Sequence, residues 1–340
     1  MSVTDSTTTS ELVARAKEIT ERELAIYAER TKGSQVATER ARKVLPAGVP
    51  SSFQAYDPHP IVVKHASGSR MVDVDNNEYV DYDMGFGALF AGHMHPAVRA
   101  AVEAQLSDGT LYVTPCELDA EVAELLGQRY GFPMWRPTNS GTEATMDAIR
   151  LARGVTKREK LVKVEGGYHG HHDEVMISNK PSIAEAGPAD APYPIPQSAG
   201  ITQGTIDDVI VIPYNDAPAL ERALESREVA CFIVEPVMEN IGICLPEPGY
   251  LEAVREICTK YGTLLIFDEV KTGITAGVGG ATKQLGVTPD LITLAKSIGG
   301  GFPVGAFGGK AEYMELITTG EELHLGTYNA NPLVMAAAKA

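Results

Sequence analysis

Basic charge is what this sequence has least of. Its 340 residues hold 29 Lys and Arg against 45 Asp and Glu, a formal net charge of -16. No basic stripe or patch appears along the chain, which argues against a nucleic-acid partner. A local positive pocket for a small anion is still compatible with an acidic whole. Paired cysteines are missing too. Cys116, Cys231, Cys244 and Cys258 form no C-x-x-C unit; Cys231 sits in an apolar run and Cys258 on a predicted helix. That is the pattern of reduced, packed thiols in a cytoplasmic protein. No run approaches the roughly 18 apolar residues of a membrane span. The opening stretch, Met1 to Ser10, carries neither the basic nor the apolar part of a signal peptide. A cytoplasmic location without a membrane partner is therefore expected. What the chain does have is material for a core: 44% hydrophobic and 22% charged residues, with room for two domains at about 150 residues each.

The chain has a readable order. Residues 1–45 are charged, with a thin helical stripe at Leu12, Ala16, Ile19, Leu24 and Tyr27, and predict an N-terminal helical arm. Residues 46–95 predict the N-terminal part of a small domain with antiparallel strands at Ile61–Val63, Met71–Val74 and Tyr79–Tyr82, turned by Asp75-Asn76-Asn77. Residues 96–330 alternate helical and apolar segments. Helices are expected from Pro96, over Glu117–Tyr130, Glu143–Arg153, Ala217–Leu224 and Gly249–Tyr261. Strands are expected at Leu161–Val164, Val209–Ile212, Cys231–Val234, Thr263–Phe267 and Leu291–Ala295. That rhythm predicts an α/β domain, a mostly parallel sheet sandwiched by helices. Asn179–Gly204, with five prolines, predicts a lid-like loop. Residues 331–340 start a helix with no terminating signal, and a missing C-terminal domain is expected to follow.

Chemistry gathers where the predicted strands end, the edge at which open α/β sheets bind ligands. Leu291–Ala295 delivers Lys296, followed by three glycines; Leu264–Phe267 delivers Asp268-Glu269; Cys231–Val234 delivers Glu235; Leu161–Val164 leads to Tyr168-His169. Lys296 becomes a nucleophile if desolvation lowers its pKa; a solvated lysine before a glycine turn is the competing reading. Asn139-Ser140-Gly141-Thr142-Glu143 precedes a helix and reads either as a phosphate nest or as a simple Ser/Thr cap. His169-Gly170-His171-His172-Asp173 is too crowded for a metal site and has no second ligand cluster, so no metal is expected. Taken together, the groups ask for one ligand with a phosphate, a flat ring, a cationic nitrogen and a carbonyl. Pyridoxal 5'-phosphate has all four.

From about Leu45 to Ala340 the sequence resembles the class III aminotransferases of the fold-type I pyridoxal-phosphate enzymes, and within them glutamate-1-semialdehyde 2,1-aminomutase and its transaminase relatives. The resemblance rests on Asn139–Met146, Tyr168–His171, Glu235-Pro236-Val237, Asp268-Glu269-Val270, Lys296 with the glycine-rich stretch behind it, and Gly326-Thr327 before Asn331-Pro332. It implies that Lys296 holds the cofactor as a Schiff base and moves the substrate proton. It further implies that Asp268 keeps the ring nitrogen protonated and that Val270 and Tyr168 sandwich the ring. Ser140, Gly141 and Thr142 would bind the phosphate. His169, Glu235 and Asn240 would border the cofactor, and Thr327 would reach the phosphate of the neighbouring subunit of a homodimer. Ser51, Gln54 and Phe86 would be substrate contacts. Two of these depart from the aminomutase pattern, with Gln54 in place of a carboxylate-binding arginine and Phe86 in place of a tryptophan. The implied activity is transamination between an amino acid or amine donor and a keto or aldehyde acceptor; the alternative is the intramolecular aminomutase reaction.

Overall fold

The computed structural model describes residues 6–340, so the start of the stretch expected to lack a leader lies outside the described residues. The chain forms two compact units, the first ending at Tyr82 and the second running Asp83–Ala340.

The first unit holds the helices Ser6–Arg30 and Lys32–Ala41 and a three-stranded antiparallel sheet of β1 (Val63–Ser67), β2 (Arg70–Asp73) and β3 (Glu78–Val80). The β2–β3 turn closes because Asn76 accepts a left-handed backbone, φ 64°. Asp73, fully buried beneath it, accepts from the N–H groups of Asp75 and Asn77 and from the Tyr79 hydroxyl at 2.7–2.9 Å. Burial alone would raise the Asp73 pKa, but the bonds from Asn77, Tyr79 and Asp75 bring it below the ordinary value. Asp75 accepts from the N–H groups of Gly33 and Ser34, at 2.6 and 2.9 Å, and so supplies from a distance the cap that the helix Lys32–Ala41 lacks locally.

The second unit is built on a seven-stranded sheet. Its strands are β4 (Met134–Thr138), β5 (Lys160–Val164), β6 (Val209–Ile212), β7 (Val229–Val234), β8 (Leu264–Asp268), β9 (Leu291–Ala295) and β10 (Gly305–Gly309), in the order β4-β10-β9-β8-β7-β5-β6. Only β10 runs against the rest. The central strands β7, β8 and β9 are buried along their whole length, which is why they read as unbroken apolar runs. Ile149 and Leu151 of the helix Gly141–Thr156 pack with Ile233, Ile266 and Phe307 in one core. A second core joins Leu220 and Val254, from the helices Ala217–Leu224 and Tyr250–Tyr261, to Phe232 and Phe267. The sheet is thus clamped by helices through two separate cores, as the α/β reading requires.

Two strands were not expected. β10, Gly-Ala-Phe-Gly-Gly, has almost no strand propensity. Its glycines are there because neighbours come too close for side chains. A Cβ at Gly308 would stand 2.7 Å from the Trp135 ring, and one at Gly305 would run into the Ser140 carbonyl. β4 carries Pro137 opposite Ala306 and sits at the sheet edge, where a proline costs no ladder bond.

Candidate active site

The parallel strands β5, β7, β8 and β9 all end on one edge of the sheet, and the reactive side chains stand there. A cleft at this edge is lined by Lys296, Asp268, Val270, Tyr168, His169, Glu235 and Asn240, with Gly141 and Lys271 completing its wall. Of the predicted cofactor set, only Ser140, Thr142 and Thr327 are outside the lining. A larger cavity of about 330 Å³ is walled mainly by apolar groups such as Val98, Leu126, Ile298 and Met335; the reactive groups gather in the smaller cleft.

Lys296 follows β9 directly, in the left-handed region at φ 51°. A non-glycine residue held there is uncommon and is found where surrounding structure enforces it. Burial pushes the pKa of its ammonium below the ordinary lysine value; Lys271 adds to that push, and Asp268 opposes it. Lys296 donates no hydrogen bond to any described residue. The amine is thus partly desolvated and has no acceptor among the described residues, which speaks against the solvated-lysine reading.

Asp268 ends β8 and is buried. Its Oδ2 lies 2.8 Å from His169 Nδ1, and its Oδ1 accepts from the Val270 N–H at 3.0 Å. His169 is itself buried, and its Nε2 has no partner. Glu235 accepts from the Tyr168 N–H at 3.0 Å, the Glu239 N–H at 3.2 Å and the Asn240 side-chain amide at 2.9 Å. It therefore fixes the turn that carries Tyr168. The Tyr168 side of the cleft is open, with 40% of the residue exposed, so its ring can cover a flat ligand.

The turn before the helix Gly141–Thr156 is a helix cap that also leaves backbone donors without acceptors. Ser140 Oγ caps the helix, accepting from the Glu143 N–H at 3.2 Å. The N–H groups of Gly141 and Thr142 donate to no acceptor among the described residues, which leaves the orphan donors that bind a phosphate. A Cβ at Gly141 would stand 3.0 Å from a Val270 methyl and narrow the slot between them. The histidines after Tyr168 are engaged elsewhere: His171 Nδ1 with Thr142 Oγ1 at 3.0 Å, His172 Nδ1 with Glu174 at 2.8 Å. No group of three metal-ligating side chains occurs among the described residues.

The remaining predicted contacts lie apart from the cleft lining. Phe86 is exposed, with a positive φ of 55°, and Thr327 is exposed in a turn. Ser51 and Gln54 belong to the first unit, at the short helical turn Ser52–Gln54. None of Asn179–Gly204 lines the cleft. That loop is instead pinned where the Ser178 N–H donates to the Ile195 carbonyl at 2.7 Å and the Ile195 N–H donates to Ser178 Oγ at 2.9 Å.

Two lysines went unnoticed in the sequence, one on the cleft wall and one buried within β5. Lys271 follows Asp268-Glu269-Val270 directly, and that proximity was the available signal. Lys163 was hidden inside the apolar run of β5. It is fully buried, and its Nζ donates to the carbonyl of Ile177 at 2.6 Å, to Asn179 Oδ1 at 3.2 Å and to the Val164 carbonyl at 3.2 Å. It thereby ties the start of the proline-rich loop to the strand that leads to Tyr168. Burial pushes the Lys163 pKa down to about 7, against the pull of Glu235 and Glu165. An unfolded lysine titrates near 10.4, so between these values the unfolded chain holds a proton that the folded chain has released. Stability from this group thus rises with pH above about 7, by at most about 1.4 kcal/mol per pH unit. In Lys163→Met that rise should vanish, as urea unfolding at pH 7 and pH 9 can measure; an equal pH response in both proteins would contradict it.

Comparison with known proteins agrees with this geometry. The family model described as aminotransferase class-III matches residues 52–340. The chain belongs to the class III aminotransferases. Glutamate-1-semialdehyde 2,1-aminomutase of Ignicoccus hospitalis is 47% identical over 302 residues, covering 87% of this chain and 70% of that protein. An omega-transaminase from Sphaerobacter thermophilus has a solved structure with a TM-score of 0.87 and 40% identity, covering 90% of this chain and 71% of that one. A transaminase solved with pyridoxal phosphate bound gives a TM-score of 0.84 at 33% identity, covering 91% and 72%. The cofactor of this class III chain is pyridoxal phosphate. The residues present fit it: two orphan N–H groups, a slot beside Val270, a buried carboxylate and a desolvated amine. No helix among the described residues is long and apolar enough to cross a membrane.

Proposed function

We propose that this protein is a transaminase, moving an amino group from an amino acid or amine to a keto or aldehyde acceptor. The observation that carries the reading is the partly desolvated amine of Lys296 sharing one cleft with the buried Asp268 carboxylate. Bound there, pyridoxal phosphate supplies an aldehyde for amines and a ring that accepts the electrons released when a C–H bond breaks. The phosphate would be held by the N–H groups of Gly141 and Thr142 with the Ser140 and Thr142 hydroxyls. Asp268 would hold a proton at the ring nitrogen, itself oriented by His169. Tyr168 and Val270 would cover the two faces, and Glu235 and Asn240 would border the ring. Lys296 would bind the cofactor covalently and, once freed by substrate, act through neutral Nζ, taking a proton from the substrate carbon and returning it elsewhere. Thr327 would serve the phosphate of a second subunit, so the working form would be a homodimer. Ser51, Gln54 and Phe86 would contribute to substrate recognition.

The second reading is the aminomutase reaction, favoured by the Ignicoccus hospitalis relative, a glutamate-1-semialdehyde 2,1-aminomutase at 47% identity. The two differ in what leaves the protein. With cofactor, an amino donor and a keto acid acceptor, a transaminase releases one carbonyl product per amine consumed. An aminomutase isomerises glutamate-1-semialdehyde with no added acceptor. Carbonyl release across a donor panel, without that isomerisation, is the expected result; isomerisation alone would overturn it. Absence of any absorbance change when amines meet the cofactor-loaded protein would defeat both readings.

A further inference from the structure

The carboxylates Glu235 and Asp268 of the cleft are held in place by hydrogen bonds within the protein. Glu235 accepts four hydrogen bonds, from Tyr168, Glu239 and Asn240. Asp268 is held by His169 and the Val270 N–H. Among the described residues Lys296 donates to nothing, and Lys271 donates only to the Glu239 carbonyl, a neutral acceptor at 3.2 Å. Lys271 forms no ion pair with any described residue. Glu239, next to it, has a half-buried carboxyl whose pKa burial raises, against the pull of Lys271, and that carboxyl makes no ion pair with the ammonium. Two ammonium groups on the cleft wall without an ion pair among the described residues favour a ligand that carries negative charge. Once Lys296 is spent on the cofactor, Lys271 remains on the wall as a cation without an ion pair among the described residues. No arginine lines the cleft.

We propose that Lys271 is a specificity-determining residue that receives the carboxylate of the amino donor. This rests on the transaminase reading above, in which Lys296 is consumed by the cofactor, and it narrows the substrate class to donors carrying a carboxylate near the amine. The ammonium has two N–H groups left after the Glu239 carbonyl, enough to hold a carboxylate by charge-assisted bonds. Lysine supplies a point charge rather than a planar fork, so carboxylates at slightly different distances from the amine are accommodated.

Two reagents that attack the same cofactor aldehyde test this without knowledge of the natural substrate. Aminooxyacetate carries a carboxylate, and O-methylhydroxylamine does not. In the cofactor-loaded full chain, the ratio of their second-order rate constants, followed by absorbance, should fall about tenfold in Lys271→Met, the scale of one charge-assisted bond. Lys271→Arg should restore most of the ratio. Binding of propanoate to the loaded protein, followed by saturation-transfer NMR, should weaken by a similar factor in Lys271→Met and recover in Lys271→Arg. An unchanged ratio, or propanoate binding that does not depend on residue 271, overturns the role of Lys271. Those results leave the transaminase reading standing as long as wild-type protein reacts with both reagents; reaction with neither sinks both.

Discussion

Replacing Lys296 by alanine is expected to lower turnover by at least about a thousandfold, the scale set by losing a positioned base and a covalent attachment together. The same variant should lack the absorbance of lysine-bound cofactor, while free pyridoxal phosphate added to it keeps its own spectrum. The structure says why the loss should be chemical rather than structural. Lys296 makes no hydrogen bond to a described residue, so truncation leaves no partner stranded. Removing a desolvated amine also removes a group that burial disfavours in its charged form. Thermal stability should therefore hold or rise slightly while activity disappears. Wild-type turnover in Lys296→Ala would refute the assignment outright; a parallel loss of stability would show that the lysine supports the fold.

Most of this site could be read from the sequence because the relevant signals are local. An apolar run followed at once by one polar residue marks a strand end, and β7, β8 and β9 each do this at Glu235, Asp268 and Lys296. Parallel pairing then does the assembly, since strands buried on both faces leave their carboxyl ends as the accessible edge. What stayed hidden depends on neighbours. β10 is a strand only because Trp135 and Ser140 press on positions that must be glycine. Lys163 looked like a polar interruption of β5; its burial depends on carbonyls brought back by a loop fourteen and sixteen residues later. That the Ser140 cap leaves the N–H groups of Gly141 and Thr142 without acceptors among the described residues shows only in the folded chain. Lys271 is the reverse case, visible in the sequence but without meaning until its ammonium proved to have no ion pair among the described residues.

Asp268 offers the second large effect, and a comparison of two variants separates its chemistry from its packing. Asp268→Ala strips His169 of its only side-chain partner. The imidazole is buried with Nε2 already unpaired, so the variant leaves both ring nitrogens unsatisfied and frees the Val270 N–H as well. Orphaned buried groups cost about 1–3 kcal/mol each, and this variant should unfold at clearly lower urea. Asp268→Asn keeps the shape: its Oδ1 can still accept from the Val270 N–H, and its Nδ2 can donate to His169 Nδ1 once the imidazole carries its proton on Nε2, so its stability should stay within about 1 kcal/mol of wild type. Its activity should not survive. An amide carries no charge to hold a proton on a ring nitrogen, and a ring left unprotonated is a poor acceptor for the electrons that Lys296 releases when it takes the substrate proton. A fall of two or more orders of magnitude in kcat, in a protein that folds and binds cofactor normally, is the expected outcome for Asp268→Asn. If the asparagine variant instead keeps near-wild-type kcat while the alanine variant loses stability and activity together, Asp268 would be a strut for His169 and the turn at Val270. The electron-accepting role would then have to be sought elsewhere in the cleft.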